Sequence, residues 1–260
     1  MAKEKKKGSC LKTLLIVIVV VIVIGIIAAV AGGGSSESDN GTDEGNNSQA
    51  STTQTEPQES SEDTSSEPQE SAAPATEHYE VDLSAGNYVA GVDIPAGTYN
   101  LTATSGSGNV SSSNMYSGGL NEIMGSPADE YTQETFNNLS LPEGETLSLT
   151  GTVVLHIVSE DAQTANMSSR VVGSEVQTDL SAGNYTAGTD FPAGVYNIVS
   201  TGSSGNVSSD NMYDGGLNEV MGDGNDGFSV KQVNNVELPE GTVLTVSGAS
   251  IQLVPVGSAE

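Results

Sequence analysis

Apolar and polar positions divide the chain into stretches that predict different kinds of structure. A short basic segment, residues 1–12, is followed by an uncharged apolar run at 13–31 and a polar run at 32–78. About 19 apolar residues in a helix span nearly 30 Å, the thickness of a bilayer's hydrocarbon core. Short runs that alternate apolar and polar residues recur between 79 and 256, with the period of half-buried strands. The pattern predicts one transmembrane helix and then a β-rich region.

The alternating region contains one unit twice. Residues 97 positions apart match without a gap from 83 to 151 in the first copy, and roughly 40 of about 70 aligned residues are identical. Turns such as Ile94-Pro95-Ala96-Gly97 recur in both copies, and neither copy has a helix-length apolar stripe. We predict an all-β fold of two tandem homologous sandwich-like or barrel-like units, unit 1 at 79–158 and unit 2 at 180–256. A polar connector, 159–179, lies between them, and Arg170-Val171-Val172 suits an edge strand there.

The five lysines of the basic segment predict the orientation of the span. By the positive-inside rule they stay in the cytoplasm, which places the repeats outside the cell. The alternative is a cleaved secretory signal, because Ala29-Val30-Ala31 fits the cleavage pattern, although the length of the run favours an uncleaved anchor. We therefore predict a single-pass membrane protein with extracellular repeats, or a secreted one if the chain is cleaved after Ala31.

The polar run predicts a disordered acidic stalk. Residues 32–77 hold eleven acids and no base, with almost no large apolar side chain to form a core. Beyond residue 31 two bases face 33 acids, a net charge of -31, which argues against nucleic acid as a partner. Cys10, the only cysteine, precedes the span, so no disulfide can hold the repeats.

The candidates for catalysis are few. His156 aligns with Leu253 of unit 2, which favours a strand side chain over a base, and His78 lies at the end of the stalk. Glu122 and Glu219 lie at equivalent places in a glycine-flanked segment and can face a groove, but sequence alone does not supply the separation that a glycosidase needs. We predict no catalytic residue, no cofactor and no enzyme activity.

The candidates for a ligand-binding site are Tyr116 and Tyr213, together with Glu122 and Glu219. Exposed tyrosines in the same place of both units would offer faces for stacking sugars. The absence of tryptophan favours the other interpretation, tyrosines in the core whose hydroxyls hydrogen-bond a partner there. The apolar residues near them have the pattern of core positions. These residues are Met115, Leu120, Ile123 and Met124, with Met212, Leu217, Val220 and Met221 in unit 2.

Calcium has one weak candidate site, formed by Asp223, Asn225 and Asp226. The stretch partly matches an EF-hand loop, but glycine occupies its fifth position and Asn234 stands where the bidentate glutamate belongs. Unit 1 lacks the matching loop. A plain acidic turn explains the same residues, so we predict no specific metal site.

Three motifs of the repeat are similar to a known family. Residues 93–99 (DIPAGTY), 118–121 (GGLN) and the pair Asn137-Asn138 resemble the DIPAGTY-type repeat domain of exported or membrane-anchored proteins of Gram-positive, clostridia-like Firmicutes bacteria. The resemblance covers both units. It implies an extracellular, β-rich module and transfers no catalytic residue.

Three functions remain compatible with the sequence. The preferred one is a non-enzymatic, membrane-anchored surface module that binds a cell-wall polymer or a surface protein through its two β units. The second is a structural or shielding surface protein without a specific ligand. The third, an envelope glycan hydrolase, would require Glu122 and another acid to meet in a pocket.

Overall fold

The computed structural model describes residues 76–170 and 175–257. Apart from one 3-10 turn at Thr164–Asn166, the regular structure in these residues is β-strand, which confirms the predicted all-β class. None of the described residues forms a helix long and apolar enough to cross a membrane. The predicted span at 13–31, most of the stalk and residues 171–172 of the predicted edge strand lie outside the described residues.

Unit 1 is a sandwich of two antiparallel sheets with the orders β1-β7-β3-β5 and β4-β3-β6-β2. The long strand β3 belongs to both: its first half pairs with β5 and β7, and its second half pairs with β4 and β6. The strands are β1 Glu77–Leu83, β2 Gly86–Val89, β3 Gly97–Ser112, β4 Asn121–Ser126, β5 Thr135–Leu141, β6 Thr146–Leu149 and β7 Val154–Ala162.

Unit 2 repeats this topology, with the orders β8-β15-β10-β13 and β12-β11-β14-β9. Two shorter strands, β10 and β11, stand where unit 1 has the continuous β3. The strands are β8 Thr178–Leu180, β9 Gly183–Thr186, β10 Gly194–Ser200, β11 Gly205–Ser209, β12 Asn218–Met221, β13 Gln232–Leu238, β14 Val243–Ser247 and β15 Ile251–Pro255.

Each unit has its own core, formed by the inward-facing residues of its two sheets, and Ala85 of unit 1 packs into the core of unit 2. Tyr99 and Tyr196 are fully buried at equivalent places in these cores. Each phenol donates a hydrogen bond to the carbonyl four residues earlier, on Pro95 and Pro192, so the tyrosine fixes the proline turn that starts its strand. The predicted proline turns are therefore tied directly to the packing of the core.

A bulge shared by the two units gives their asparagine pairs a specific shape. Asn138 and Asn235 have φ angles of 58° and 53°, the left-handed conformation that asparagine tolerates better than most residues. In unit 2 the backbone N–H of Asn235 donates to Asn197 Oδ1 (3.0 Å), and the ladder between β10 and β13 shifts at this point. Bulges re-aim neighbouring side chains, here that of Asn234.

The outer strands extend further than the sequence predicted. Strand β1 begins at Glu77, before the predicted start of unit 1 at residue 79, and β7 runs to Ala162 inside the predicted connector. The end of β7 is held because the backbone N–H of Gln163 donates to the carbonyl of Ala96 (2.8 Å) and that of Thr98 donates to Asp161 Oδ1 (2.7 Å). The polar composition at the start of the predicted connector, 159–179, did not indicate these contacts.

Candidate functional site

The loop that joins β3 to β4 presents Tyr116 to solvent, and the loop from β11 to β12 presents Tyr213 in the same way. The exposed fractions of these residues are 97% and 77%, so the core placement that the sequence favoured was wrong for this pair. In unit 1 the loop is closed by backbone hydrogen bonds onto the Asn114 carbonyl, while Asn114 Nδ2 donates to the carbonyl of Ser140 on β5 (2.9 Å). Asn211 makes the equivalent hydrogen bonds in unit 2, so a hydrogen-bonded polar loop carries an exposed aromatic ring in both units.

The apolar residues around the tyrosines divide between core and surface. Leu120 and Met124 are buried, as predicted, but Met115 is 37% exposed and Ile123 is 52% exposed, so the core prediction was wrong for these two. Ile123 alternates with Met124 along β4, and successive strand residues face opposite sides of a sheet. The equivalent residues of unit 2 divide in the same way: Leu217 and Met221 are buried, Met212 and Val220 exposed.

A second aromatic pair, Tyr131 and Phe228, is exposed at equivalent positions, by 65% and 62%. Each ring follows an aspartate turn: Asp129 Oδ1 accepts from the backbone N–H of Tyr131 (2.9 Å), and Asp226 Oδ1 accepts from that of Phe228 (3.0 Å). Backbone hydrogen bonds of this kind hold the pKa of both aspartates below the ordinary value. This part of the loop is shared between the units, contrary to the expectation from sequence.

The candidate calcium residues belong to these turns. Asp223 Oδ1 accepts from the backbone N–H of Asn225 (3.0 Å), and Asp226 Oδ1 also accepts from the N–H of Ser229 (2.7 Å). The carboxylates thus stabilise their own loop. Among the described residues, no three His, Cys, Asp or Glu side chains are grouped as metal ligands.

The two equivalent glutamates have different surroundings. Glu122 on β4 is exposed, whereas Glu219 on β12 is only 7% exposed, because it lies against unit 1. The backbone N–H of Gly151 lies 3.0 and 3.2 Å from the two carboxylate oxygens of Glu219. Burial raises the pKa of Glu219 to about 7, and the hydrogen bond from Gly151 opposes that rise. The two acids do not meet in a common pocket.

Two asparagines complete the contact between the units. Asn87 of β2 is buried, and its Nδ2 donates to the carbonyls of Gly215 (2.9 Å) and Gly216 (3.1 Å). In the opposite direction, the backbone N–H of Asn234 donates to the carbonyl of Ala85 (2.9 Å), where β13 and β2 form a short parallel pairing. The units are therefore joined mainly by backbone and amide hydrogen bonds.

Arg170, which lies in the connector, contacts both units. Its guanidinium makes a bidentate contact with Asp93 of unit 1, with Nε–Oδ1 and Nη2–Oδ2 distances of 2.7 and 2.5 Å. Its Nη1 lies 3.6 Å from Glu237 Oε1 of unit 2. The side chains of Arg170 and Asp93 are only 10% and 11% exposed, so this is a buried ion pair. The predicted connector thus has a specific structural role.

A cleft of about 280 Å³ also lies between the units. Ser84, Gly151 and Thr152 line it from unit 1, and Lys231 and Gln232 line it from unit 2. Its volume is just below the range of about 300–1,000 Å³ typical of small-molecule sites. The cleft by itself assigns no ligand.

His156 lies on β7 opposite Asp82 of β1, and its Nδ1 is 2.8 Å from Asp82 Oδ1. Its Nε2 is 3.8 Å from Glu80 Oε2. Within the described residues neither ring nitrogen is hydrogen-bonded to a hydroxyl, as a nucleophile and its base would be. The histidine is a cross-strand partner of carboxylates on an open sheet face.

The sequence reasoning missed the residues that join the units, above all Asn87, Asn234 and Arg170. Two signals for them were present: an asparagine pair repeated at the same spacing, and one of only two bases beyond residue 31. Neither signal identifies the residue that is contacted, because the contacts between the two copies do not recur within either copy.

Fold and site together define an all-β tandem repeat whose exposed aromatic positions recur in both copies. Comparison of this chain with family models, with curated proteins and with solved structures found no match.

Proposed function

We propose that this protein is a non-enzymatic surface module, anchored in the cell membrane by residues 13–31, whose two β units bind a component of the cell envelope. The observation that carries the proposal is the pair Tyr116 and Tyr213, exposed on the same hydrogen-bonded loop in both units. Tyrosine offers a large contact area with only two side-chain torsions to fix, which suits it to the centre of a binding site.

The other exposed apolar residues support the same face. Met115 lies beside Tyr116 in its loop and Met212 beside Tyr213, and each is 37% exposed. Isolated exposed apolar residues are common on any protein, but the same set uncovered in two copies is better explained by a partner that covers it. Two equivalent sites in one chain would also raise the avidity for a repeating polymer.

Topology and charge favour an uncharged partner. The acidic stalk, 32–78, would hold the repeats away from the membrane, and the net charge of -31 beyond residue 31 would repel anionic polymers. We therefore assign the tyrosine loops to a neutral cell-wall glycan rather than to a polyanion. A surface protein as the partner is the alternative outcome of the experiment below.

Replacing Tyr116 and Tyr213 together by serine is expected to weaken binding to isolated cell envelope at least roughly tenfold, the equivalent of about 1.4 kcal/mol. The measurement is co-sedimentation of the full-length protein, in detergent micelles, with purified envelope at two salt concentrations. Protease treatment of the envelope separates the classes of partner, because binding to a glycan survives it.

The matched control replaces the other exposed aromatic pair, Tyr131 and Phe228, by serine. Both changes remove two exposed rings, so equal losses would indicate a general loss of apolar surface and contradict the assignment to the tyrosine loops. Binding by the native protein that never saturates would contradict the proposal altogether.

A further inference from the structure

The contact between the two units joins two different surfaces. Face A, on unit 1, consists of Ser84, Ala85, Asn87 and Gly151. Face B, on unit 2, consists of Gly215, Gly216, Glu219 and Asn234. Such a contact is heterologous: the surface used by one unit differs from that used by the other.

Because the units are copies, each also carries the face that it does not use here. Face A of unit 2 consists of Ser181, Ala182, Asn184 and Gly248, and face B of unit 1 consists of Gly118, Gly119, Glu122 and Asn137. All eight residues are identical to their counterparts in the occupied contact. A face that is complete in sequence is thus present at each end of the pair.

Both unused faces are open in the structure. Ala85 is 2% exposed and Asn87 is 8% exposed in the occupied face A, whereas Ala182 and Asn184 are exposed. On the B side, Glu122 is likewise exposed in contrast to the buried Glu219. Within one chain, therefore, only face A of unit 1 and face B of unit 2 are in contact, and the other two faces remain free.

The asparagine of the open face A keeps the orientation of its counterpart in the occupied face, although the glycine before it, Gly183, does not share the positive φ of Gly86. The amide oxygen of Asn87 accepts a hydrogen bond from Ser148 Oγ (2.7 Å), which orients its Nδ2 towards unit 2. In unit 2, the amide oxygen of Asn184 accepts in the same way from Thr245 Oγ1 (2.9 Å). Among the described residues Asn184 Nδ2 has no acceptor, so face A of unit 2 holds an oriented donor without its partner.

The same holds for the tyrosine and the bulge that complete the contact. Tyr88 OH donates to the carbonyl of Ser84 (2.9 Å) and accepts from Asn234 Nδ2 (3.2 Å). Tyr185 OH repeats the first bond, to the carbonyl of Ser181 (3.0 Å). The bulge that re-aims Asn234 recurs beside Asn137, because Asn138 has the left-handed φ of 58°.

We propose that a second copy of this chain docks face B of its unit 1 onto face A of unit 2, so that copies join head to tail. Each chain offers one open face of each kind, so a contact between two chains leaves a free face at both ends. Repetition of a heterologous contact produces an open filament or a ring. The inference rests on the repeat geometry and does not require the proposed ligand, although Gly118 and Gly119 of face B lie in the same loop as Tyr116.

The contact between chains differs from the internal one in its charges. The internal contact includes the ion pair of Arg170 with Asp93 and its approach to Glu237. Between chains, Asp190 and Ser140 occupy the positions of Asp93 and Glu237. The intermolecular contact is therefore weaker than the tethered one, and a high local concentration of chains favours it.

Disulfide trapping in the full-length chain tests the proposal. In a Cys10→Ser background, Asn137→Cys with Ser181→Cys places thiols on the two open faces, and mild oxidation should give a ladder of covalent dimers, trimers and larger species. The internal equivalent is Asn234→Cys with Ser84→Cys. In the native protein Asn234 Nδ2 and Ser84 Oγ lie 3.2 Å apart, so this pair should form a disulfide within one chain.

Two further variants make the outcome decisive. Asn137→Cys with Glu143→Cys, whose second site lies in an exposed turn outside both faces, measures random collision. Adding Asn184→Ala to the trapping pair removes the oriented donor and should reduce the ladder roughly three- to tenfold. A trapping pair that remains monomeric while the internal pair closes would overturn the proposal. A ladder no stronger than the collision control, or one unaffected by Asn184→Ala, would overturn it as well.

Discussion

Replacing Arg170 by methionine is expected to lower the free energy of unfolding of the two-unit region by about 3 kcal/mol, because it leaves a buried carboxylate without its partner. The side chain of Arg170 is 10% exposed, and methionine retains the length of its stem but not the charge. The measurement is urea unfolding followed by far-UV circular dichroism. The same loss should lower Tm by roughly 10 °C.

The matched control for Arg170 is Asp190→Asn. Asp190 accepts from the backbone N–H of Thr186 (2.7 Å) as Asp93 does from that of Val89 (2.8 Å), but Asp190 is exposed. Its replacement should change the stability by no more than about 0.5 kcal/mol. Adding Asp93→Asn to Arg170→Met should recover part of the loss, since no unpaired buried charge then remains. If Arg170→Met left the free energy of unfolding unchanged, the stabilising role of the Arg170–Asp93 ion pair would be refuted.

Replacing Glu219 by glutamine is expected to stabilise the protein above pH 7 by roughly 3 kcal/mol, with little effect below pH 4.5. The folded-state pKa of Glu219 is raised from 4.5 to about 7 by burial. Between these values the folded state binds more protons than the unfolded state, so stability falls as the pH rises through this window. Glutamine keeps an oxygen that can accept from Gly151 and carries no charge.

The pH effect is measured as the difference in the free energy of unfolding between the native protein and Glu219→Gln at pH 4.5, 6 and 8. Subtracting the two curves removes the contribution of the other acids. Glu143→Gln is the control, because Glu143 is exposed in a turn outside both faces and its replacement should leave the curve unchanged. A difference between native and Glu219→Gln that stays constant with pH would refute the account.

The all-β class followed from the sequence because the period-two runs and proline turns act locally. Tyr99 and Tyr196 illustrate this, since each hydrogen-bonds the turn four residues earlier. Core membership was harder to predict: Ile123 and Met124 are both apolar neighbours, and only the orientation of β4 shows which one faces inward.

The junction could not be predicted, because identical sequences have different surroundings there. Glu122 and Glu219 cannot be told apart from their neighbouring residues, yet one is exposed and the other is buried against unit 1. A connector rich in polar residues likewise did not show that Arg170 pairs with Asp93, 77 positions earlier. Such differences depend on how the two units pack against each other, and the local sequence pattern does not determine that packing.

The pairing of the first and last strands of unit 1 has a consequence for the order of folding. Strand β1 pairs with β7, and Glu77 lies opposite Ala162. During synthesis, this sandwich therefore cannot close until Ala162 has emerged from the ribosome. Until then β1 lacks its partner, and contacts so distant in sequence form slowly. Strand β1 has seven residues and its counterpart β8 has three. Unit 1 therefore exposes more unpaired strand backbone than unit 2 before its outer strand is paired.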